Sequence, residues 1–167
     1  MSATINTTAR DLFVELKAFI VAQLGIDAGN VIQGYNNRAA MPTGGFVVMS
    51  MVYSNRLATN SHSNTDDSLT VLKPTDVAVQ IDCYGDKSYE WSHTLCTLLR
   101  DDVSISEFPN GIVPLYADDA RLMPIVNSEQ QYEKRWMFTA NFQVNSAVTL
   151  GIQTANTLGE LTLYPVI

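Results

Sequence analysis

The stretch Val77-Ala78-Val79-Gln80-Ile81-Asp82-Cys83-Tyr84-Gly85, continued by Ser88-Tyr89-Glu90-Trp91-Ser92-His93-Thr94-Leu95-Cys96-Thr97-Leu98-Leu99-Arg100, decides the fold class. In its first half Val77, Val79, Ile81 and Cys83 alternate with Ala78, Gln80 and Asp82, the two-residue period of a strand. Gly85 ends that pattern. The period then changes: Trp91, Leu95, Leu98 and Leu99 recur at helical spacing, with Asp86 or Ser88 as the N-cap.

Working outward, residues 135–144 repeat the strand period most clearly. Trp136, Phe138, Ala140, Phe142 and Val144 alternate with Arg135, Met137, Thr139, Asn141 and Gln143. Toward the N-terminus, residues 10–24 read as a helix with Leu12, Phe13, Leu16, Phe19, Ile20 and Leu24 on one stripe. Thr8 and Asp11 have capping-box spacing, with Asp in place of Glu, and Gly25 is the stop. Between these landmarks, 27–30 is a turn, 31–35 is short and extended, and 36–45 is a loop carrying Pro42 and Gly44-Gly45. Residues 46–53 are apolar and β-branched enough for a strand. Residues 55–68 are rich in Ser, Asn, Thr and Asp without a period and read as a long exposed loop. Pro109-Asn110-Gly111 is a turn, and 112–116 and 122–126 are short extended pieces. The order α-β-β-β-α-β-β-β predicts an α+β fold: a mostly antiparallel sheet with two helices packed on one face.

Residues 146–167 stand apart, with Glu160 as the one ionic side chain. They divide the chain into a domain over 1–145 and a C-terminal extension, within which 161–166 read as a strand. That strand either closes this chain's own sheet or adds to a neighbour.

Composition narrows the function. A chain of 167 residues suits one domain and buries roughly 70% of its unfolded surface. Charged residues make up 16%, below the typical ~25%. Ten Lys+Arg against seventeen Asp+Glu give a net charge of −7 and a pI near 4.6. This balance argues against a basic nucleic-acid clamp and against a polybasic membrane-surface protein. Cys83 and Cys96 fit neither a disulfide framework nor a metal or CxxC motif and read as small buried hydrophobes. Residues 1–10 lack the apolar core of a secretory signal, and no apolar run is long enough to span a bilayer. A soluble protein made in a reducing cytosol is expected.

No residue pattern announces chemistry. There is no GxxxxGK[ST], GxGxxG or GxSxG. His62 and His93 are 31 positions apart without helical metal partners of their own kind. His93 and Cys96 lie one helical turn apart, but no third group to orient them is visible. The doublets Asp66-Asp67, Asp101-Asp102 and Asp118-Asp119 lack calcium-loop spacing and read as solvated loops. No catalytic, cofactor-binding or metal residue is therefore assigned, and no cofactor is expected. From the residues alone, a metal-dependent enzyme using Asp82 or Asp118 and a binding module working through the 55–68 loop remain alternatives.

Three segments together resemble a known family. Gln33-Gly34-Tyr35-Asn36-Asn37, followed by Met41-Pro42-Thr43-Gly44-Gly45-Phe46-Val47-Val48-Met49, is a polar turn, a proline and an aromatic-led strand. The central strand 77–85 ends in Tyr-Gly before the second helix. Tyr132-Glu133-Lys134-Arg135-Trp136-Met137-Phe138 opens a late strand with aromatics on alternate positions. In order and spacing, over about residues 8–145, these are similar to tail terminator and neck terminator proteins of tailed bacteriophages.

The resemblance implies a virion protein without catalytic residues. It implies a ring, usually of six subunits, on the head-proximal end of the tail tube. The ring stops tube polymerisation and meets the neck or head-completion protein on its other face, with sheath as a further neighbour in a contractile tail. DNA passes through transiently, and no membrane is involved. A head-side stopper or adaptor, or a tube protein, is the nearest alternative. Six copies would carry 42 formal negative charges, giving an acidic lumen that repels the DNA backbone. For the ring contacts, Arg38, Met41, Pro42 and Phe46 are candidates at an apparent turn, since Met and Arg are enriched at interfaces. Leu161, Leu163 and Tyr164 are candidates in the extension. Arg135 is expected to pair either with a neighbour's carboxylate or within its own chain.

Overall fold

A computed structural model of the chain describes residues 3–35, 42–126 and 132–152. A two-residue strand β1 (Thr4–Ile5) precedes helix α1 (Ala9–Leu24). The capping box forms as read: the Thr8 N–H donates to Asp11 Oδ2 at 2.7 Å, and the Asp11 N–H donates to Thr8 Oγ1 at 3.4 Å. Gly25 ends the helix in the left-handed region at φ 61°. The buried stripe is Leu12, Phe13, Leu16, Phe19 and Ile20. A 3-10 turn, Ala28–Asn30, leads into β2 (Val31–Gln33).

Four strands and a helix follow as β3 (Phe46–Arg56), β4 (Ser61–Asn64), β5 (Ser68–Tyr84), α2 (Ser88–Leu99) and β6 (Ile112–Ala117). The chain then runs through β7 (Arg121–Leu122), β8 (Ile125–Val126), β9 (Tyr132–Glu133) and β10 (Arg135–Gly151). β5 and β10 are antiparallel along all 17 residues, from Tyr84 opposite Arg135 to Ser68 opposite Gly151. At about 3.4 Å per residue this ribbon is roughly 54 Å long. β3 and then β4 pair with the other edge of β5, while β7, β6 and β1 line the other edge of β10. β2 lies parallel to β3; the other described strand pairs are antiparallel.

The core lies between the helices and one half of the ribbon. The register sets Val79 opposite Ala140 and Ile81 opposite Phe138, so the apolar side of both strands faces the same way. Phe138, Phe142, Leu12, Leu16, Ile20, Leu95 and Leu99 are almost fully buried, each worth about 1.5–3 kcal/mol of transfer free energy. Phe108 sits between Phe19 (5.4 Å) and Phe142 (5.6 Å), linking α1 to the sheet. The fold is α+β, with both helices contributing to one core cluster.

Four local readings change. The expected loop over 55–68 contains the end of β3, all of β4 and the start of β5. Its short polar side chains are exposed, and pairing with β5 rather than apolar alternation makes it a strand. The N-cap of α2 is Lys87 without a side-chain cap; Ser88 Oγ donates to the Gly85 carbonyl at 2.6 Å, and Asp86 lies 3.4 Å from Lys134. Pro124 interrupts the 122–126 piece, so Arg121–Leu122 join the main sheet while Ile125–Val126 pair with β9. β10 continues past Val144, placing Ser146–Gly151 opposite β5; the 161–166 strand reading falls outside the described residues.

Candidate assembly surface

The sequence candidates separate into three groups. Arg38, Met41, Leu161, Leu163 and Tyr164 lie outside the described residues. Pro42 is half-buried at the start of β3's lead-in. Phe46 and Arg135 are occupied within the protomer. Phe46 is buried and stacks on Tyr84 with ring centroids 4.5 Å apart. Arg135 pairs with Asp82 of its own chain at 2.9 Å.

That ion pair lies on the sheet face opposite the core. Asp82 points there because its neighbours Ile81 and Cys83 point to the helices. Although no apolar layer is built on this face by α1 or α2, the Asp82 side chain is only 5% exposed. Its Oδ1 accepts from Arg135 Nε (3.0 Å) and Nη2 (2.9 Å), and Gln80 Nε2 reaches both carboxylate oxygens. The Arg135 guanidinium also lies over the Tyr84 ring at 5.9 Å. Burial raises the Tyr84 hydroxyl above its ordinary pKa, and the nearby guanidinium opposes that rise. Farther along the same face, Asn141 Nδ2 donates to Tyr53 Oη (2.7 Å) and Asp76 Oδ1 (3.1 Å), while Tyr53 Oη donates to Asp76 Oδ2. Sequence reasoning placed Gln80, Asp82, Arg135 and Asn141 on the alternate side of their strands but missed the pairing.

Exposed apolar side chains also occur elsewhere, such as Val14, Val52 and Leu115, but both ends of the β5–β10 ribbon carry them, and the two ends differ. At the Tyr84–Arg135 end, Pro42, Phe46, Trp91 and Tyr132 contribute to an open groove of about 950 Å³. Gly85, at φ 96°, lets the chain pass Gly45: a Cβ there would stand 2.9 Å from the Gly45 Cα. Tyr132 is 81% exposed opposite the exposed Val126, and exposed Leu122 lies opposite Trp136, which packs against exposed Tyr89 at 4.9 Å. At the Ser68–Gly151 end, β4, β5, β10 and β1 form an arm bearing the exposed Ile5, Leu150 and Ile152.

The remaining chemical candidates are dispersed. The Cys96 thiol donates to the His93 carbonyl, while the His93 ring packs against Tyr89 (4.2 Å) and Trp136 (5.5 Å). Cys83 is buried, which drives its thiol pKa far upward. Asp101 caps the 3-10 turn Asp102–Glu107 by accepting from the Val103 N–H, which holds its carboxyl below the ordinary range. Asp119 pairs with Arg100 at 2.8 Å and Asp118 with Arg121 at 3.8 Å. His62 is exposed on β4. Among the described residues no group of His, Cys, Asp and Glu is arranged to hold a metal ion.

Residues 10–163 match the family described as phage neck terminator protein. This span takes in most of 146–167, which lay beyond the sequence resemblance over about 8–145. No curated protein matches the chain. The family match over nearly the whole length, on an α+β fold with two distinct apolar ends, leads to one conclusion: the chain belongs to the phage neck terminator protein family, structural proteins of the phage tail and neck.

Proposed function

We propose that the chain assembles into a closed ring of six copies at the head-proximal end of a tail tube, ending tube polymerisation and joining the tail to the neck. The observation that carries this reading is the pair of unlike apolar ends on one continuous two-stranded ribbon. A two-fold dimer uses one patch twice, whereas a ring needs two different patches that meet head to tail. Exposed apolar groups at both ends of a roughly 54 Å ribbon suit the second arrangement.

Two strand edges support it. Among the described residues β4 pairs only with β5 and β6 only with β10, so each leaves backbone groups able to accept a neighbouring segment. The low charged share, 16%, suits a surface largely covered by neighbours. A net charge of −7 per copy favours a lumen through which DNA passes without adhering. One rim of the ring meets the tube and the other meets the neck. The work is geometric, with no catalytic residue or cofactor assigned. The ring is a virion component made in the host cytoplasm.

Light scattering and negative-stain imaging of purified protein, alone and with tail tubes, test the proposal. The expected result is a closed ring near six times 18.4 kDa, or rings capping tube ends. Open-ended tubes grown from this protein alone identify a tube subunit instead. Binding to head connectors but not to tubes identifies a head-side adaptor. A monomer that binds neither overturns the ring.

A further inference from the structure

We propose that a groove at the root of the arm receives the C-terminal segment, residues 153–167, of a neighbouring copy. The inference rests on the ring reading and assigns the contact that closes it.

The arm continues the core register beyond the helices. Val71 lies opposite Val148 and Leu69 opposite Leu150, and Ile5 of β1 completes the row beside Val148. These residues occupy the side of the ribbon that farther back carries Val77 and Phe142 against the core. The cover there is incomplete: Ile5 is 56% exposed and Leu150 36%. A groove of about 220 Å³ opens here, lined by Ile5, Ala9, Met51, Lys73, Val144 and Val148 among others. Lys73 is its one charged lining residue and makes no ion pair among the described residues.

The position and chemistry of the remaining chain select the occupant. β10 ends at Gly151, and the Ile152 N–H donates to the Asp67 carbonyl at 3.0 Å, fixing the exit at the tip of the arm. Fifteen residues follow, enough to span roughly 50 Å when extended. β10 runs from the groove toward the tip, so at Ile152 the chain is heading away from Val144 and Val148. Its own tail must reverse direction to return; the tail of the next copy in a head-to-tail ring need not. The segment carries Leu158, Leu161, Leu163, Tyr164 and Val166, with Glu160 as its one ionic side chain. It therefore matches an apolar groove with a single lysine in both hydrophobicity and charge.

The test uses full-length chains. A Val148→Cys chain and a Leu161→Cys chain, carrying different tags, are co-expressed and oxidised; the native Cys83 and Cys96 are buried. The expected product is a covalent pair at twice 18.4 kDa that contains both tags. Lys73→Glu is expected to lose the ring, and adding Glu160→Lys to restore it; circular dichroism checks that each variant keeps the fold. A Val148→Cys/Leu161→Cys chain that cross-links only as a monomer overturns the inference in favour of the chain's own tail. If wild-type chains form rings while the two cysteine variants give no cross-linked pair and Lys73→Glu still forms rings, the inference is overturned and the ring stands. A wild-type chain that forms no ring, even on tubes, overturns the ring reading and this inference with it.

Discussion

Removing the Arg135 guanidinium with Arg135→Met strips Asp82 of two donors at 2.9 and 3.0 Å and leaves the Gln80 amide as its remaining side-chain donor. The carboxylate stays where it is, because its alternation with Ile81 and Cys83 fixes it on a strand in the middle of the sheet. Breaking a buried pair on one side costs about 3–5 kcal/mol. Arg135 retains 22% exposure, so some of its attraction is screened and the low end applies, about 3 kcal/mol. For a domain of this length that lowers Tm by roughly 6–12 °C. The reverse change, Asp82→Leu, leaves a guanidinium that reaches water and costs less, about 1–2 kcal/mol. The double variant replaces the pair with packed apolar groups and returns to within about 1 kcal/mol of wild type. Urea unfolding followed by circular dichroism measures all four proteins. One protein concentration is used throughout, because oligomerisation shifts apparent stability. Single-variant losses below about 0.5 kcal/mol, or a double variant as unstable as the sum of the singles, would refute the reasoning and assign the pair the small value of a surface bridge.

Three further predictions concern the frame. Thr8→Ala removes the α1 cap and lowers stability by about 1 kcal/mol in urea unfolding. Hydrogen bonds from the Thr8 hydroxyl and N–H hold the Asp11 carboxyl below its ordinary range, so the linked stability is present above that range and lost as pH falls through the folded value. NMR titration of Thr8→Ala is expected to show the Asp11 value moving up. Gly85→Ala forces a side chain at φ 96° against the Gly45 backbone and costs about 1–3 kcal/mol; a melting curve superimposable on wild type would contradict the close approach. Burial, followed by the Asp82 charge, raises the Cys83 thiol, so the folded chain resists maleimide at pH 8 and reacts in urea. Because the folded state holds that proton more tightly, this site's contribution falls as pH rises past the ordinary thiol value, about 8.5.

The parts of the fold legible in the sequence are those where one face is apolar and the other polar. In α1 the cap, the stripe and the stop agreed because each is a local property of residues within one or two turns. In the 77–83 and 135–144 strands, alternation shows because one side of the sheet meets the helices and the other carries Gln80, Asp82, Thr139 and Asn141. The arm gives no such contrast. Leu69, Val71, Leu72 and Val148 are half-buried on both of its faces, so no period emerges and a local reading ends the strands early. Ser61–Asn64 is a strand only because β5 offers it an edge. The intrachain partners of two interface candidates were hidden by the same limit. Phe46 and Arg135 have the residue types of contact surfaces, yet their partners, Tyr84 and Asp82, are 38 and 53 positions away.

The sequence alone determined the α+β class, the two helices, the two central strands, the acidic balance and the lack of any recognisable catalytic motif, since each follows from composition or from a repeat a few residues long. Only the tertiary structure decided the arm, the Asp82–Arg135 pair and the contrast between the two ends of the ribbon. These depend on the register between β5 and β10, which joins residues up to 83 positions apart. No local pattern encodes that register; it is selected when the buried faces of distant segments meet around one core.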